Sequence, residues 1–221
     1  LIVDSAASVG RTAVVFDFGG VIITPITNQV GVLAARHAVS TTTMLEVLLG
    51  PHASGDHPWH RAERGELTVA GIQELLGPWA DDAELTLVGD EIDAILAPGM
   101  YEVIDPMVER IARLHASGIA TALLTNTFAE FRPTLETILD LSMFDQVIES
   151  YDVGARKPEP AIYEITRSRL GVEHAEIVYL DDFVQNLDAA RSLGWTAIEV
   201  TDPLAAIAEL DELLEPRTGQ K

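Results

Sequence analysis

At 221 residues and 48% hydrophobic content, the chain has the make-up of an ordered globular protein rather than a disordered acidic one. Its 14 Lys and Arg stand against 35 Asp and Glu, a net charge of −21 that argues against unaided binding to nucleic acid or an anionic membrane. With no cysteine it has no disulfide, thiolate metal site or cysteine nucleophile, and no apolar run approaches the ~20 residues that span a bilayer.

The start, LIVDSAASVGRT, lacks the basic region and sustained apolar stretch of a signal peptide, so a cytoplasmic location is expected. Thr12 to Phe16 (TAVVF) then predicts a short buried strand ending at Asp17. From about Thr27 to Pro98 the pattern is helical without strands: Val30 to Val39, Thr41 to Leu49, a stretch near Trp59, Val69 to Leu76, and Asp81 to Leu96. The last places Leu85, Val88, Ile92 and Ile95 on one face behind a capped start at Asp81-Asp82. GPHASGDHP (Gly50 to Pro58) and GPW (Gly77 to Trp79) read as turns.

Beyond Pro98, Val103, Met107, Ile111 and Leu114 share one helix face. Further strands are expected at Ile119 to Leu124, Gln146 to Glu149, Glu176 to Leu180 and Thr196 to Val200, before a last helix carrying Leu204, Ile207, Leu210 and Leu214. Strands that are apolar throughout, separated by helices, predict an α/β fold: a Rossmann-like parallel sheet core covered by helices on both faces. The expected division is a core of residues 10–26 and 99–214, a small all-helical cap of residues 27–98, and a flexible tail of residues 215–221.

Polar residues stand where the strands end. Asp17, Thr125-Asn126 and Asp181-Asp182 each follow an apolar run, and Lys157 in GARKPEP follows the third strand. Singly, each has an ordinary explanation as a helix cap, a turn or an exposed loop lysine. In a parallel sheet, however, these ends fall along one edge, where ligands bind at the switch in strand order, and four coincidences there point to a site.

VVFDFGGVI, LLTNT, GARKPEPAIY and YLDDFVQN resemble, in order and spacing, the four motifs of the haloacid dehalogenase-like hydrolases, and the likeness extends from about Thr12 to Val200. The helical segment matches the cap that this family inserts after its first motif, and ERGELT (Glu63 to Thr68) is similar to a cap-loop pattern of the branch with small-molecule phosphatases, 2-haloacid dehalogenases and the phosphatase domain of soluble epoxide hydrolase. The resemblance implies that Asp17 is a nucleophile forming an aspartyl-phosphate. It implies a Mg²⁺ site of Asp17, the Gly19 carbonyl, Asp182 and, less directly, Asp181. Thr125, Asn126 and Lys157 would hold the phosphoryl oxygens, and Phe18, Gly19 and Gly20 would form the phosphate loop, with Gly20 keeping it tight enough for backbone N–H groups to approach. Asn186 would support the metal-site loop. The implied partner is a small phosphorylated metabolite, with no nucleic acid or membrane, on a monomer or homodimer.

One position departs from the phosphatase pattern. Two residues beyond the nucleophile these enzymes carry a second Asp as general acid and base, and here Gly19 occupies it. Such a group is worth ~10²–10⁴ in rate. Three outcomes follow: substrates with good leaving groups, replacement by a cap residue (His57, His60 or Glu66), or a slow or non-catalytic phosphometabolite-binding protein. Gly19 also fits a 2-haloacid dehalogenase, but adjacent Asp181 and Asp182 do not, since three gathered carboxylates require a cation. In the cap, Trp59 and Trp79 are expected to be core, and Arg61 and Arg64 solvated.

Overall fold

The computed structural model describes residues 12–51, 56–87, 89–97 and 99–215. Five strands, β1 (Ala13–Phe16), β2 (Ala120–Thr125), β3 (Gln146–Glu149), β4 (Ile177–Asp181) and β5 (Thr196–Glu199), form one sheet in the order β3-β2-β1-β4-β5. All neighbours pair in parallel. Each strand lies within one residue of its sequence-predicted start.

The strands lack alternation because both faces are covered. Val14, Phe16, Leu123 and Leu180 pack against α7 (Asp105–Ala116) and α12 (Pro203–Leu214). Ala13, Val15, Leu124 and Tyr179 pack against α10 (Pro160–Leu170) and α11 (Val184–Ser192) on the other face. The short helices α8 (Arg132–Ile138) and α9 (Ser150–Val153) lie before and after β3. The chain passes from β1 to β2 on one side and later returns to β4 on the other, so β1 is the switch point beyond whose C-terminal end a crevice opens.

Between β1 and α7 run α1 (Ile26–Arg36), α2 (Thr41–Leu49), α3 (Pro58–Glu63), α4 (Val69–Leu75), α5 (Gly77–Asp82) and α6 (Gly89–Leu96). They share their own apolar cluster, with Val30, Met44, Leu48, Trp59, Ile72 and Ile92 at its centre and Phe128 reaching in from the sheet side. Side-chain caps define three of the starts: Ser40 accepts from the Thr43 N–H, His57 from the Trp59 N–H and Thr68 from the Gly71 N–H.

Three expectations need correcting. The first of these helices begins at Ile26, directly after Pro25, not at Val30. GPW is not a turn but the first turn of α5, where Pro78 supplies a preset φ and loses no helical hydrogen bond. Asp81-Asp82 consequently close α5 instead of capping a long helix, and Glu84, at φ 55, turns the chain left-handed before α6. Leu85, Ile92 and Ile95 are buried as the pattern requires, whereas Val88 lies outside the described residues. Residues 10–11, 98 and 216–221, at the expected boundaries and in the expected tail, also lie outside them. Among the described residues no helix is long and apolar enough to cross a membrane.

Candidate active site

Asp17 leaves β1 with its N–H bonded to the Leu180 carbonyl of β4, 2.9 Å away, which brings the ends of the two strands together. There Asp17, Asp181 and Asp182 present carboxylate oxygens that all lie within 4.8 Å of one another. Lys157 reaches the same point: its Nζ is 2.7 Å from Asp17 Oδ1 and 2.8 Å from Asp181 Oδ2. Buried carboxylates repel, and the ammonium offsets part of that repulsion.

The titration of the group follows from this arrangement. Burial first, then Asp181 and Asp182, raise the Asp17 carboxyl well above its ordinary range against the lowering effect of Lys157. Burial and Asp181 push Asp182 up to about 7. Burial works against the Lys157 charge, but Asp17 and Asp181 outweigh it and hold the ammonium above its ordinary pKa.

Asp181 is saturated with donors. It accepts from Lys157 Nζ, the Tyr179 hydroxyl, the Phe183 N–H at 2.7 Å and Asn186 Nδ2 at 3.1 Å from both oxygens. Asp182 differs, because its buried Oδ1 has no hydrogen-bond partner. Gly20 explains how Asp182 comes so close: at φ +73, a Cβ on Gly20 would sit 2.1 Å from Asp182 Oδ2. The Gly20 N–H donates to the Ile23 carbonyl at 2.8 Å, so this glycine shapes the loop rather than offering its amide outward. Gly19 is the reverse case, since a Cβ there would meet nothing within 4 Å.

Asn126 uses its side chain to lock the lysine loop. Its Nδ2 donates to the Lys157 carbonyl at 3.0 Å and its Oδ1 accepts from the Lys157 N–H at 2.8 Å. Thr125 ends β2 and is buried beside it.

A cavity of about 150 Å³ opens over these groups, lined by Asp17, Phe18, Gly19, Thr125, Asn126, Lys157 and Asp182. Gly20 and Asp181 stand behind it. The remaining lining is mostly apolar, including Ile23, Ile26, Leu49, Trp59, Phe128 and Phe131. Trp59 is therefore both buried core and cavity wall, while Trp79 packs edge-on against His57.

None of His57, His60 and Glu66 lines the cavity. His57 is buried, with Nδ1 accepting from the Trp59 N–H and Nε2 at the Val47 carbonyl, and burial lowers its pKa to about 4. Its ring also lies where a Cβ on Gly50 would be, 2.4 Å away. His60 is buried beside it, with ring centroids 5.5 Å apart. Glu66 faces outward between Arg61 and Arg64, and Arg64 pairs in addition with Glu159 at 3.0 Å, so it is tied down rather than freely solvated.

Sequence reasoning passed over a buried ion pair between Glu63 of α3 and Arg156, both of which line the cavity. Glu63 also accepts from Trp59 Nε1 at 3.0 Å. Both residues stood inside quoted motifs, ERGELT and GARKPEP, yet only the fold shows that they meet. Tyr179 was likewise missed as a donor to Asp181; its position two residues earlier on the same strand, hence on the same face, was the available signal.

The family model for haloacid dehalogenase-like hydrolases matches residues 12–194. The chain is 33% identical to acyl-CoA dehydrogenase family member 10 of Mus musculus over 91% of its own length, but spans only 19% of that protein. To the sesquiterpene phosphatase astK of Aspergillus oryzae it is 27% identical, over 91% of this chain and 96% of that one. A HAD family enzyme from Bacteroides thetaiotaomicron, solved with magnesium and inorganic phosphate, shares the fold at TM-score 0.60 and 18% identity, covering 86% of this chain and 94% of that one.

Proposed function

The chain belongs to the haloacid dehalogenase-like hydrolases, and from that premise we propose a Mg²⁺-dependent phosphomonoester hydrolase that works through an aspartyl-phosphate on Asp17. The observation that carries this reading is the contact of Lys157 with both Asp17 and Asp181, beside the unpartnered Asp182 oxygen, at the sheet's switch point. Fold alone does not choose a reaction; the reading rests on these side chains.

The residues suit a hard divalent cation, since every side chain offered is a carboxylate and one buried oxygen awaits a partner. Asp17, Asp182 and the Gly19 carbonyl would hold it, with the saturated Asp181 orienting Lys157 behind them. When bound, the cation neutralises phosphate charge and lets the carboxylates stay ionised together.

The rest belongs to the chain. Lys157 Nζ and the Phe18 N–H both engage Asp17 Oδ1, which supports reading Oδ2 as the oxygen that attacks phosphorus. Lys157, the Thr125 hydroxyl and the Asn126 N–H surround the transferring phosphoryl group and stabilise the charge on its oxygens. Asn126 keeps Lys157 in place through its two backbone bonds. The apolar walls exclude water, which strengthens each of these interactions.

No side chain at Gly19 can protonate the leaving group, so the reading favours aryl, acyl or anomeric phosphates, which depart with little help. The same feature favours a second reading, a phosphate-binding protein with negligible turnover. Dehalogenation is the poorer account, because displacement of halide gives no use to Asp182 and its raised carboxyl. The deciding assay is release of phosphate from p-nitrophenyl phosphate with and without Mg²⁺, beside Asp17→Asn. Turnover that requires both Mg²⁺ and Asp17 supports the hydrolase. Binding of phosphate without release above the Asp17→Asn control supports the second reading.

A further inference from the structure

Successive residues of one loop send their cations to different sides of the cavity. Lys157 goes to the sheet edge at Asp17, and Arg156 goes to the helical side, where its Nε donates to Glu63 Oε2. Glu63 divides its oxygens: Oε1 accepts from Trp59 Nε1 at 3.0 Å, so the guanidinium is held by Nε and not gripped as a fork. Its two Nη groups have no hydrogen-bond partner among the described residues. Arg156 is nonetheless only 5% exposed, and it lines the cavity. Buried donors that go unmade are costly, above all on a charged group. Other polar residues of the lining spend theirs inside the protein: Asn126 on the Lys157 carbonyl, Asn186 on Asp181 and Tyr101 on the Ile95 carbonyl.

We propose that Arg156 is a substrate-binding residue that sets specificity, its Nη groups donating to a neutral oxygen acceptor, a carbonyl or hydroxyl, on the organic part of the substrate away from the ester. Glu63 is the positioning residue, since it holds the guanidinium by Nε and leaves the Nη edge for the ligand. The acceptor is neutral because Glu63 already balances the Arg156 charge, and a further carboxylate would lie against Glu63. The proposal rests on the phosphomonoesterase reading of the Asp17 site.

Phosphonates read binding without turnover, since their C–P bond is not a phosphate ester. The cavity measures about 150 Å³, so short chains suffice. The series is 2-oxopropyl-, 3-oxobutyl- and 4-oxopentylphosphonate, each against the alkylphosphonate of equal chain length, by calorimetric titration of the full chain in Mg²⁺. One ketone should bind about tenfold tighter than its alkyl partner, and tighter than the matching carboxylate. In the double variant Glu63→Gln with Arg156→Met, which removes both charges together, that ketone and its alkyl partner should bind alike. If the double variant does not fold, Arg156→Lys makes the same test, because its ammonium can satisfy Glu63 but carries no guanidinium edge.

A series in which no ketone is preferred, or a carboxylate that binds tighter than the ketone, overturns the proposal. So does a variant in which all affinities fall together with the ketone-to-alkyl ratio intact, which would place Arg156 on the phosphate. A ketone preference in a protein that fails to hydrolyse p-nitrophenyl phosphate overturns the hydrolase reading and leaves this one standing. Hydrolysis without a ketone preference does the opposite.

Discussion

The two halves of the candidate site are built on opposite terms. At the sheet edge, charge is dense and heavily constrained: Asp181 alone takes donors from Lys157, Tyr179, Phe183 and Asn186. On the helical side the wall is Leu49, Trp59 and Leu96, and Glu63, its one charged residue among the described residues, is consumed by Arg156. The difference separates two jobs. On the proposed reading the edge would act on phosphorus whatever is attached to it, and the helices would choose what is attached. A low-dielectric roof over a charged floor also makes each floor interaction stronger than it would be in water.

The largest expected effect is on the floor. Lys157→Met removes a charge that two buried carboxylates share, and phosphatase kcat should fall about 10³-fold, read by steady-state kinetics on p-nitrophenyl phosphate. A loss confined to KM would mean that Lys157 only binds substrate.

Next comes the seam between the halves. Glu63→Ala leaves Arg156 charged and buried, and should cost about 3 kcal/mol in denaturant unfolding, much of it recovered in the double variant Glu63→Ala with Arg156→Met. No recovery would show that the pair acts through packing alone.

A smaller effect has a distinctive pH signature. Asp182 is raised from 3.8 to about 7, so between those values the metal-free fold holds a proton that the unfolded chain has released. Wild-type stability should therefore fall relative to Asp182→Asn as pH rises from about 4 to 7, then level off. His57, lowered from 6.5 to about 4, works in the opposite direction over part of that window, gaining stability as pH rises, and cancels in the comparison. Saturating Mg²⁺ should abolish any advantage of the variant. A difference independent of pH would contradict the electrostatic account of the floor.

The smallest change restores what the family pattern leads one to expect. Gly19 has open space where a side chain would go and needs no positive φ. Gly19→Asp should raise turnover on alkyl phosphates about tenfold and on aryl phosphates less. Equal gains would mean that the proton already comes from elsewhere.

The floor was legible in the sequence because parallel strands end on one edge, so Asp17, Thr125, Lys157 and Asp182 could be gathered without knowing a single contact. Asp181 was legible as an acid at that edge but not as the hub it is, because its donors come from a strand residue, a turn amide and a helix. The seam was illegible for a plainer reason: Glu63 and Arg156 lie 93 positions apart, and each looks like an ordinary surface charge beside its neighbours. His57 and His60 misled in the other direction. Histidines near a cap loop suggest proton transfer, but His57 spends both ring nitrogens on the backbone. The break between α5 and α6 was hidden because Leu85, Ile92 and Ile95 keep a helical spacing across it, and a local turn at Glu84 overrides a pattern that tertiary burial satisfies equally well.

Lys157 sits between Arg156, bonded to Glu63, and Glu159, bonded to Arg64. Any displacement that lifts α3 from the sheet must part both pairs, and both lie on the segment that carries the Lys157 ammonium. On the proposed reading, release of inorganic phosphate and slackening of its counter-ion would then be coupled through a joint that never touches the ester.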